Sequence, residues 1–155
     1  LRKIQNAGVL FCGDGLGVRT FVMRAMGIHA CGFDISEWAV KNNIGQFNLT
    51  YYWQEDITQY VPRDESYTLV VCYDVLEHLT KEELDKALLN VYKYGQNFLF
   101  SIPFKGENDD LYKDSTHKIF ENREWWYKKL EEHKFKIKDT PEWFMFAPQI
   151  VIAEK

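Results

Sequence analysis

Short apolar runs alternate with helical patterns along most of the chain, and this alternation constrains the fold more than any other sequence feature. Apolar runs occur at Gly8–Cys12, His29–Phe33 and Tyr67–Tyr73, and the stretches between them carry apolar residues at helical spacing. Strands that alternate with helices predict βαβ units, in which helices join the parallel strands of one sheet. The almost continuously apolar run Tyr67–Tyr73 is typical of a central strand buried on both faces.

The helix signals agree with this arrangement. Thr80 and Glu83 have the spacing of a capping box, and the amphipathic pattern that follows ends at Gly95. Ser36 has the residue type and position of a helix N-cap. A helix is also expected over Val18–Met26. Its spacing predicts that four residues face the core: Phe21, Val22, Ala25 and Met26.

The elements together predict an α/β fold with one doubly wound, mostly parallel sheet of about seven strands and helices on both faces. We expect the last strand to run antiparallel to the others. Residues 1–155 are expected to form one domain, since this length can bury a sizeable core. Because the chain starts at Leu1 rather than Met, we also expect that it lacks an upstream segment or is a domain of a longer protein.

Composition excludes several classes of protein. Hydrophobic residues make up 46% of the chain and aromatic residues 16%, which excludes a disordered chain. The 19 Lys and Arg residues against 23 Asp and Glu residues disfavour a nucleic-acid groove, which needs clustered positive charge. No apolar run approaches the roughly 20 residues of a membrane span. Cys12, Cys31 and Cys72 form no CxxC motif, so nothing demands an oxidising compartment and a cytoplasmic location is expected.

Three polar signals follow three successive predicted strands. Gly13-x-Gly15-x-Gly17 follows the first strand, Asp34 ends the second, and Asp56 comes directly after the third. In an open parallel sheet, ligands bind beyond the carboxyl ends of the strands. Glycines let the backbone approach a ligand closely, and a carboxylate can accept hydrogen bonds from both ribose hydroxyls or from an exocyclic amine. The ordered set predicts a site for a nucleotide-like cofactor.

With these segments in place, the chain resembles the class I S-adenosylmethionine-dependent methyltransferases, which have a Rossmann-like fold. The resemblance covers almost the whole chain. Asp74-Val-Leu-Glu-His-Leu79, after a buried strand, is typical of members that act on small molecules. The matching segments are residues 9–17, 32–36, 54–57 and 67–79, together with Ser101-Ile-Pro103 and His117.

The resemblance implies S-adenosylmethionine as the cofactor and gives roles to the residues of the first two motifs. Gly13, Gly15 and Gly17 would form the turn under the methionine and ribose portions. Asp34 would hold the ribose diol, and Ile35 would lie against the adenine face.

The later motifs are given roles in the same way. Asp56 would meet the adenine amine, and Ile57 would supply a backbone contact. Cys72, Tyr73 and Asp74 would line the methionine side, near the methyl group that is transferred.

One position departs from the family pattern. The third residue of the first motif is usually an acid, and here it is Phe11. We expect either that Asp14 holds the methionine amino group instead, or that Phe11 is a core residue and water fills this role.

Two alternatives to a methyltransferase remain at this stage. A nicotinamide-dependent oxidoreductase also uses a glycine turn and an acid after the second strand. The dinucleotide fingerprint G-x-G-x-x-G would place its third glycine at Val18, whereas this chain has Gly17. A catalytically silent binding domain could keep the fold without the activity.

The catalytic chemistry requires few fixed residues. Methyl transfer is an in-line displacement, so the enzyme mainly aligns the nucleophile, and a general base is needed only if the acceptor must lose a proton. His78 and His117 are the candidate bases, although His78 could instead bond a neighbouring loop and His117 could be exposed. Glu77 is expected to orient or pack. No residue spacing resembles a metal site.

The acceptor is expected to be a small organic molecule that is methylated on oxygen or nitrogen. The segment after the central strand lacks the Asn/Asp-Pro-Pro-Tyr pattern of enzymes that methylate base amines, and no Pro-Cys nucleophile occurs. The polar stretch Phe104–Lys118 is a candidate mobile loop over the site. A partner or upstream segment is a candidate cover for the acceptor site. Six aromatic residues could line an acceptor pocket or belong to the core: Tyr112, Phe120, Trp125, Trp126, Trp143 and Phe144.

Overall fold

The computed structural model describes residues 8–46, 50–61, 66–107, 114–139 and 149–155. The strands within these residues are β1 (Val9–Cys12), β2 (Ala30–Asp34), β3 (Tyr52–Gln54), β4 (Tyr67–Tyr73), β5 (Gly95–Ser101), β6 (Lys136–Lys138) and β7 (Ile150–Glu154). The α-helices are α1 (Val18–Ala25), α2 (Glu37–Lys41), α3 (Lys81–Tyr94) and α4 (Arg123–Glu132), and a 3-10 helix covers Leu76–His78. No helix of the described ranges is both long and apolar enough to cross a bilayer.

The strands form one sheet in the order β3-β2-β1-β4-β5-β7-β6. Pairing is parallel from β3 through to β5, and β7 pairs antiparallel with both β5 and β6. The prediction of a mostly parallel seven-stranded sheet with an antiparallel last strand is therefore confirmed. Because the chain builds outward from β1 in one direction and from β4 in the other, the strand order reverses between these two strands. A ligand crevice is expected at their carboxyl ends.

Alternate residues of the central strands pack on opposite faces of the sheet. Val70 and Cys72 of β4 belong to the larger core, which also contains residues of α3 and α4. Val71, one position along, belongs to a smaller cluster with Phe11 and Ala30, against which Met23 of α1 packs. Helices therefore cover both faces of the sheet, as predicted.

Helix α1 buries a different stripe from the one that its sequence predicts. Phe21, Val22 and Met26 are 42%, 47% and 69% exposed, so the prediction that they face the core is wrong; Ala25 is exposed as well. Thr20 is fully buried instead.

The reason is the close approach of α1 to β2. A Cβ atom on Gly32 of β2 would lie only 2.5 Å from Thr20 Oγ1, so this contact admits only a small side chain. Arg24 faces the same way, since its Nη1 donates to Ala30 O at 3.0 Å. Its guanidinium carbon lies 3.6 Å from the ring centroid of Tyr51, which explains how a charged residue covers the sheet here.

The aromatic residues considered for an acceptor pocket separate into different environments. Trp126 is fully buried in the larger core, Trp125 is partly buried beside it, and Phe120 is 43% exposed. Tyr112, Trp143 and Phe144 lie outside the described residues, as do residues 108–113 of the polar stretch and 140–148, which include the start of the predicted last strand.

The capping box of α3 is formed as the sequence predicts. Thr80 Oγ1 accepts from Glu83 N at 3.2 Å, and Glu83 Oε2 accepts from Thr80 N at 2.8 Å. The helix ends where Gly95 begins β5, and its apolar residues are fully buried: Leu84, Ala87, Leu88 and Val91.

Thr80→Ala should lower the free energy of unfolding by about 1 kcal/mol, because the Glu83 amide loses its acceptor at the helix start. Thr80→Ser retains the hydroxyl oxygen and should stay close to the parent. Urea denaturation of the three proteins measures both effects. An alanine variant as stable as the serine variant would show that the capping box contributes nothing measurable.

Candidate active site

The loop after β1 is anchored to the end of β2 through its backbone. Gly13 N and Asp14 N both donate to Phe33 O, at 2.9 and 3.1 Å, and Gly17 N donates to Asp14 O at 2.9 Å. Gly13 has a φ of 70°, and a Cβ atom added there would lie 2.6 Å from Val75 Cγ2. The loop therefore needs glycine at position 13 for both its backbone conformation and its packing.

Asp34 at the end of β2 is held in place by two backbone donors. Its Oδ2 accepts from Gly15 N at 2.8 Å, and its Oδ1 accepts from Ser36 N at 2.9 Å. An ionised carboxylate has about four lone-pair positions, so each oxygen can accept a further hydrogen bond. The carboxylate is thus fixed in orientation and still able to bind a diol.

Tyr52 of β3 holds the same loop through a hydrogen bond. Its hydroxyl donates to Gly15 O at 2.6 Å. Burial raises the pKa of the Tyr52 phenol above its ordinary value, and the nearby carboxylates of Asp14 and Asp34 raise it further. The phenol therefore remains protonated and acts as a hydrogen-bond donor.

A cavity of about 260 Å³ lies at the carboxyl ends of β1 to β4. Each strand contributes to it through the residues at or after its end. The lining residues are Gly13, Phe33, Asp34, Ile35, Glu55, Asp56, Ile57, Asp74, Val75, His78 and Leu79. We call this space the first cavity. It brings together six of the residues predicted to bind the cofactor: Gly13, Asp34, Ile35, Asp56, Ile57 and Asp74.

The segment after β3 is tied down by side chains of its own and of α3. Asp56 Oδ1 accepts from both Thr58 N and Thr58 Oγ1, at 2.8 Å each. Asn90 Nδ2 of α3 donates to Ile57 O at 3.0 Å, so the carbonyl of Ile57 already has a partner.

Glu55 also lines the first cavity, although the sequence analysis predicts no role for it. It is 7% exposed and accepts from Trp53 Nε1 and Tyr94 OH, both at 2.7 Å. Its sequence signals are its place in the matching segment 54–57 and its position next to Asp56.

Five predicted cofactor residues do not line the first cavity: Asp14, Gly15, Gly17, Cys72 and Tyr73. The side chain of Asp14 is fully buried and accepts from Thr20 N at 2.9 Å, with Arg19 Nη1 at 3.5 Å. Its carboxylate therefore satisfies the first turn of α1 rather than facing the first cavity. Cys72 is fully buried in the larger core. Phe11 is buried in the smaller cluster, as expected for a core residue.

A second cavity of about 380 Å³ adjoins the first, and Asp74 and His78 line both. Asp74 has a φ of 55°, and its Oδ1 accepts from Ser101 Oγ at the end of β5 at 2.7 Å. The lining residues of this second cavity are Tyr73, Asp74, Glu77, His78, Pro103, Asp114, His117 and Gln149.

Both predicted bases line the second cavity, and Glu77 lies with them. The rings of His78 and His117 meet edge to face with centroids 4.7 Å apart. His78 Nδ1 lies 3.0 Å from Thr116 Oγ1. Among the described residues, Glu77 Oε2 and His117 Nδ1 are buried atoms without a hydrogen-bond partner.

Burial is the main cause of the pKa shifts of Glu77 and His117. It raises the pKa of Glu77 to about 8, with a further contribution from the negative charge of Asp74. Burial and the neighbouring His78 lower the pKa of His117, against the opposing effect of Asp114 and Asp74. At neutral pH, His117 is therefore an imidazole with a free nitrogen lone pair.

The structure is a doubly wound sheet with a cavity where the strand order reverses, which is the place where such folds bind nucleotide-like cofactors. The model of a family described as a methyltransferase domain matches residues 9–95, more than half of the chain. The chain therefore belongs to this methyltransferase family, which confirms the resemblance to the class I S-adenosylmethionine-dependent enzymes over the nicotinamide-dependent alternative. No curated protein matches the chain significantly.

Solved structures of methyltransferases share the fold. Magnesium protoporphyrin IX methyltransferase from Synechocystis PCC 6803, with bound SAH, has a TM-score of 0.69 at 21% identity, covering 97% of this chain and 74% of that one. A SAM-dependent methyltransferase from Archaeoglobus fulgidus has a TM-score of 0.68 at 22% identity, covering 99% and 87%. The small RNA methyltransferase HEN1 has a TM-score of 0.72 at 16% identity, covering 99% and 24%. At these identities the likeness concerns the fold.

Proposed function

We propose that the protein transfers a methyl group from S-adenosylmethionine to an oxygen or nitrogen nucleophile of a small-molecule acceptor. The observation that carries this proposal is the orientation of Asp34. Its two carboxylate oxygens are fixed by Gly15 N and Ser36 N while it lines the first cavity. A preorganised carboxylate of this kind suits the two hydroxyls of a ribose.

The first cavity would hold the adenosine portion of the cofactor. Asp34 would accept from the ribose diol, Ile35, which is 64% exposed, would cover the adenine face, and Asp56 would accept from the adenine amine. Ile57 would contribute its backbone N–H, since its carbonyl is bonded to Asn90.

The residues at the ends of β1 and β4 would hold the methionine portion. Gly13, Gly15 and Gly17 supply the turn beneath it, and Asp74 and Tyr73 lie on the side of the second cavity. Cys72 would act through packing, given its full burial. Asp14 would act through the first turn of α1, since its carboxylate is bonded to Thr20 N.

The second cavity would hold the acceptor. S-adenosylmethionine supplies a methyl group that its sulfonium has already activated, so alignment of the nucleophile is the main task of the protein. The wall shared by the two cavities, Asp74 and His78, would place the acceptor beside that methyl group. His117 and His78 are the groups available to receive a proton from a hydroxyl or amine.

The charges of the second cavity favour a small molecule over a nucleic acid. Asp74, Glu77 and Asp114 line it, and its described lining includes no Lys or Arg. A phosphate backbone needs several cationic partners, and the carboxylates of Asp74 and Asp114 would repel it.

Transfer of labelled methyl groups tests the proposal directly. The protein is incubated with S-adenosylmethionine labelled in the methyl group and, separately, with small metabolites, total RNA or total protein from a cell extract. We expect label in the small-metabolite fraction, and binding of S-adenosylhomocysteine but not NADH in calorimetry. Label in RNA or protein alone would overturn the choice of acceptor. Cofactor binding without transfer to any fraction would support the catalytically silent alternative.

A further inference from the structure

We propose that Glu77, His78 and His117 bind a divalent first-row transition-metal ion in the second cavity, beside the methyl-transfer site. One ligand atom from each of these three side chains lies within 4.8 Å of the other two. Oxygen and nitrogen ligands bind such ions at about 2.0–2.2 Å, so two ligands of one ion can lie up to about 4.4 Å apart. Ligands at right angles around the ion lie about 3 Å apart, so side-chain rotations that shorten these distances by up to about 2 Å would close the site.

Two buried atoms in this cluster lack the partner that a cation would supply. Glu77 is 1% exposed, and its Oε2 has no hydrogen-bond partner among the described residues. The same holds for His117 Nδ1, on a side chain that is 8% exposed. Burying unpaired polar atoms costs free energy, and a positive ion in the second cavity, which both residues line, would give them a partner.

The backbone holds the ligands together although they come from distant parts of the chain. Glu77 and His78 belong to the 3-10 helix after β4, and His117 lies in the segment before α4. Lys118 N and Ile119 N both donate to Glu77 O, at 2.8 and 3.1 Å. These bonds fix His117 against the 3-10 helix, so the cluster is part of the folded framework.

His78 is oriented by a hydrogen-bonded chain of the kind that supports metal ligands. Thr116 Oγ1 donates to Asp114 Oδ1 at 2.6 Å, so it can accept from His78 Nδ1 at 3.0 Å. A proton on Nδ1 leaves the lone pair of the ring on Nε2, which is the tautomer that binds a metal.

The donor set indicates the class of ion. Two imidazole nitrogens and one carboxylate oxygen form the set that holds divalent first-row metals with coordination positions left open. Mn²⁺, Fe²⁺, Co²⁺ and Zn²⁺ fit this description. Sequence spacing gave no sign of the site, because Glu77 and His78 are adjacent and only the fold brings His117 to them.

The open coordination positions of the ion narrow the class of acceptor, and this inference rests on the proposed function. A hydroxyl oxygen bound to the ion would have a lowered pKa and lose its proton to solvent. The oxygen would then form a bond to the methyl carbon as the carbon–sulfur bond breaks, and that electron pair would stay on sulfur. The acceptor would accordingly be an alcohol or a phenol, and the two histidines would act through the ion.

Titration with MnCl₂ alone tests the metal site, with the free ion followed by electron paramagnetic resonance. We expect one bound Mn²⁺ per chain. Affinity should fall at least about 10-fold in Glu77→Gln and in His117→Ala, and about 10-fold in Thr116→Val, which removes the hydroxyl that links His78 to Asp114. Bound Mn²⁺ should also enhance the relaxation of water protons, since open positions exchange water.

His133→Ala is the matched control, because the partners of this histidine are Lys129 O and Asp85 rather than the residues of the cluster. It should bind Mn²⁺ like the parent, and circular dichroism confirms that each variant is folded. An unchanged free Mn²⁺ signal with the parent, or equal affinity in the parent and both ligand variants, would overturn the metal site. Bound Mn²⁺ that leaves water relaxation unchanged would overturn the role proposed for the hydroxyl.

Calorimetry with S-adenosylhomocysteine on the same samples separates this proposal from the proposed function. Binding of S-adenosylhomocysteine without Mn²⁺ binding would remove the metal site and leave cofactor binding standing. Binding of Mn²⁺ without S-adenosylhomocysteine would do the reverse.

Discussion

Asp34→Ala should weaken the binding of S-adenosylhomocysteine by at least about 100-fold. Each hydrogen bond from a ribose hydroxyl to a carboxylate contributes about 1.5–3 kcal/mol, and two of them correspond to a loss of two or more orders of magnitude. The variant also releases Gly15 N and Ser36 N, so the loop after β1 loses the group that orders it. Calorimetry at constant salt measures the change.

Glu37→Gln is the matched control for this variant. Glu37 is three residues away, at the start of α2, and makes an exposed ion pair with Lys41 at 2.6 Å. Such surface pairs contribute little, so the affinity of Glu37→Gln should equal that of the parent. Asp34→Ala that binds as tightly as this control would remove Asp34 from the cofactor site and, with it, the main support for the proposed function.

Gly13→Ala should lower the free energy of unfolding by about 3 kcal/mol. An alanine with a φ of 70° costs about 1–2 kcal/mol, and its Cβ atom would lie 2.6 Å from Val75 Cγ2, which adds about 1–3 kcal/mol of overpacking. At this chain length the melting temperature should fall by about 6–12 °C. Cofactor affinity should fall as well, since Gly13 and Val75 both line the first cavity.

Two further variants separate the two costs. Gly15 has a similar φ of 57° and no atom within 4 Å of an added Cβ, so Gly15→Ala should show the backbone cost alone. Combining Gly13→Ala with Val75→Ala removes the colliding methyl group and should recover the overpacking part, as a double-mutant cycle reports. Equal melting temperatures for Gly13→Ala and Gly15→Ala would show that the contact with Val75 yields without cost.

The sequence predicts the sheet well because its signals are local. The limits of β4 at Tyr67–Tyr73 and the capping box at Thr80 agree with the structure residue by residue. Asp34 and Asp56 are placed correctly at one cavity, since the carboxyl ends of parallel strands share one edge of the sheet. These positions depend only on strand periodicity and caps.

The buried face of helix α1 is not predicted from its sequence, because its orientation depends on a contact with another element. Hydrophobic spacing favours burial of Phe21 and Val22, but the space above Gly32 accommodates Thr20 instead. Asp14 is not among the lining residues of the first cavity for a related reason: its carboxylate accepts from Thr20 N in the first turn of α1.

The cluster in the second cavity depends on the fold rather than on spacing. His117 reaches Glu77 only because the segment before α4 bonds to the backbone of the 3-10 helix. No pattern of residue types within one stretch encodes that approach.

The hydroxyl of Tyr52 links the motion of the loop after β1 to the edge of the sheet. Strand β3 has three residues and lies at the edge of the sheet that the described residues form, so it should open more readily than the central strands. Each opening frees Gly15 O and removes the ring beneath Gly17. Exchange of cofactor for product would then proceed at the pace at which this short strand frays. Amide hydrogens of β3 and of the loop should accordingly exchange with solvent at matching rates.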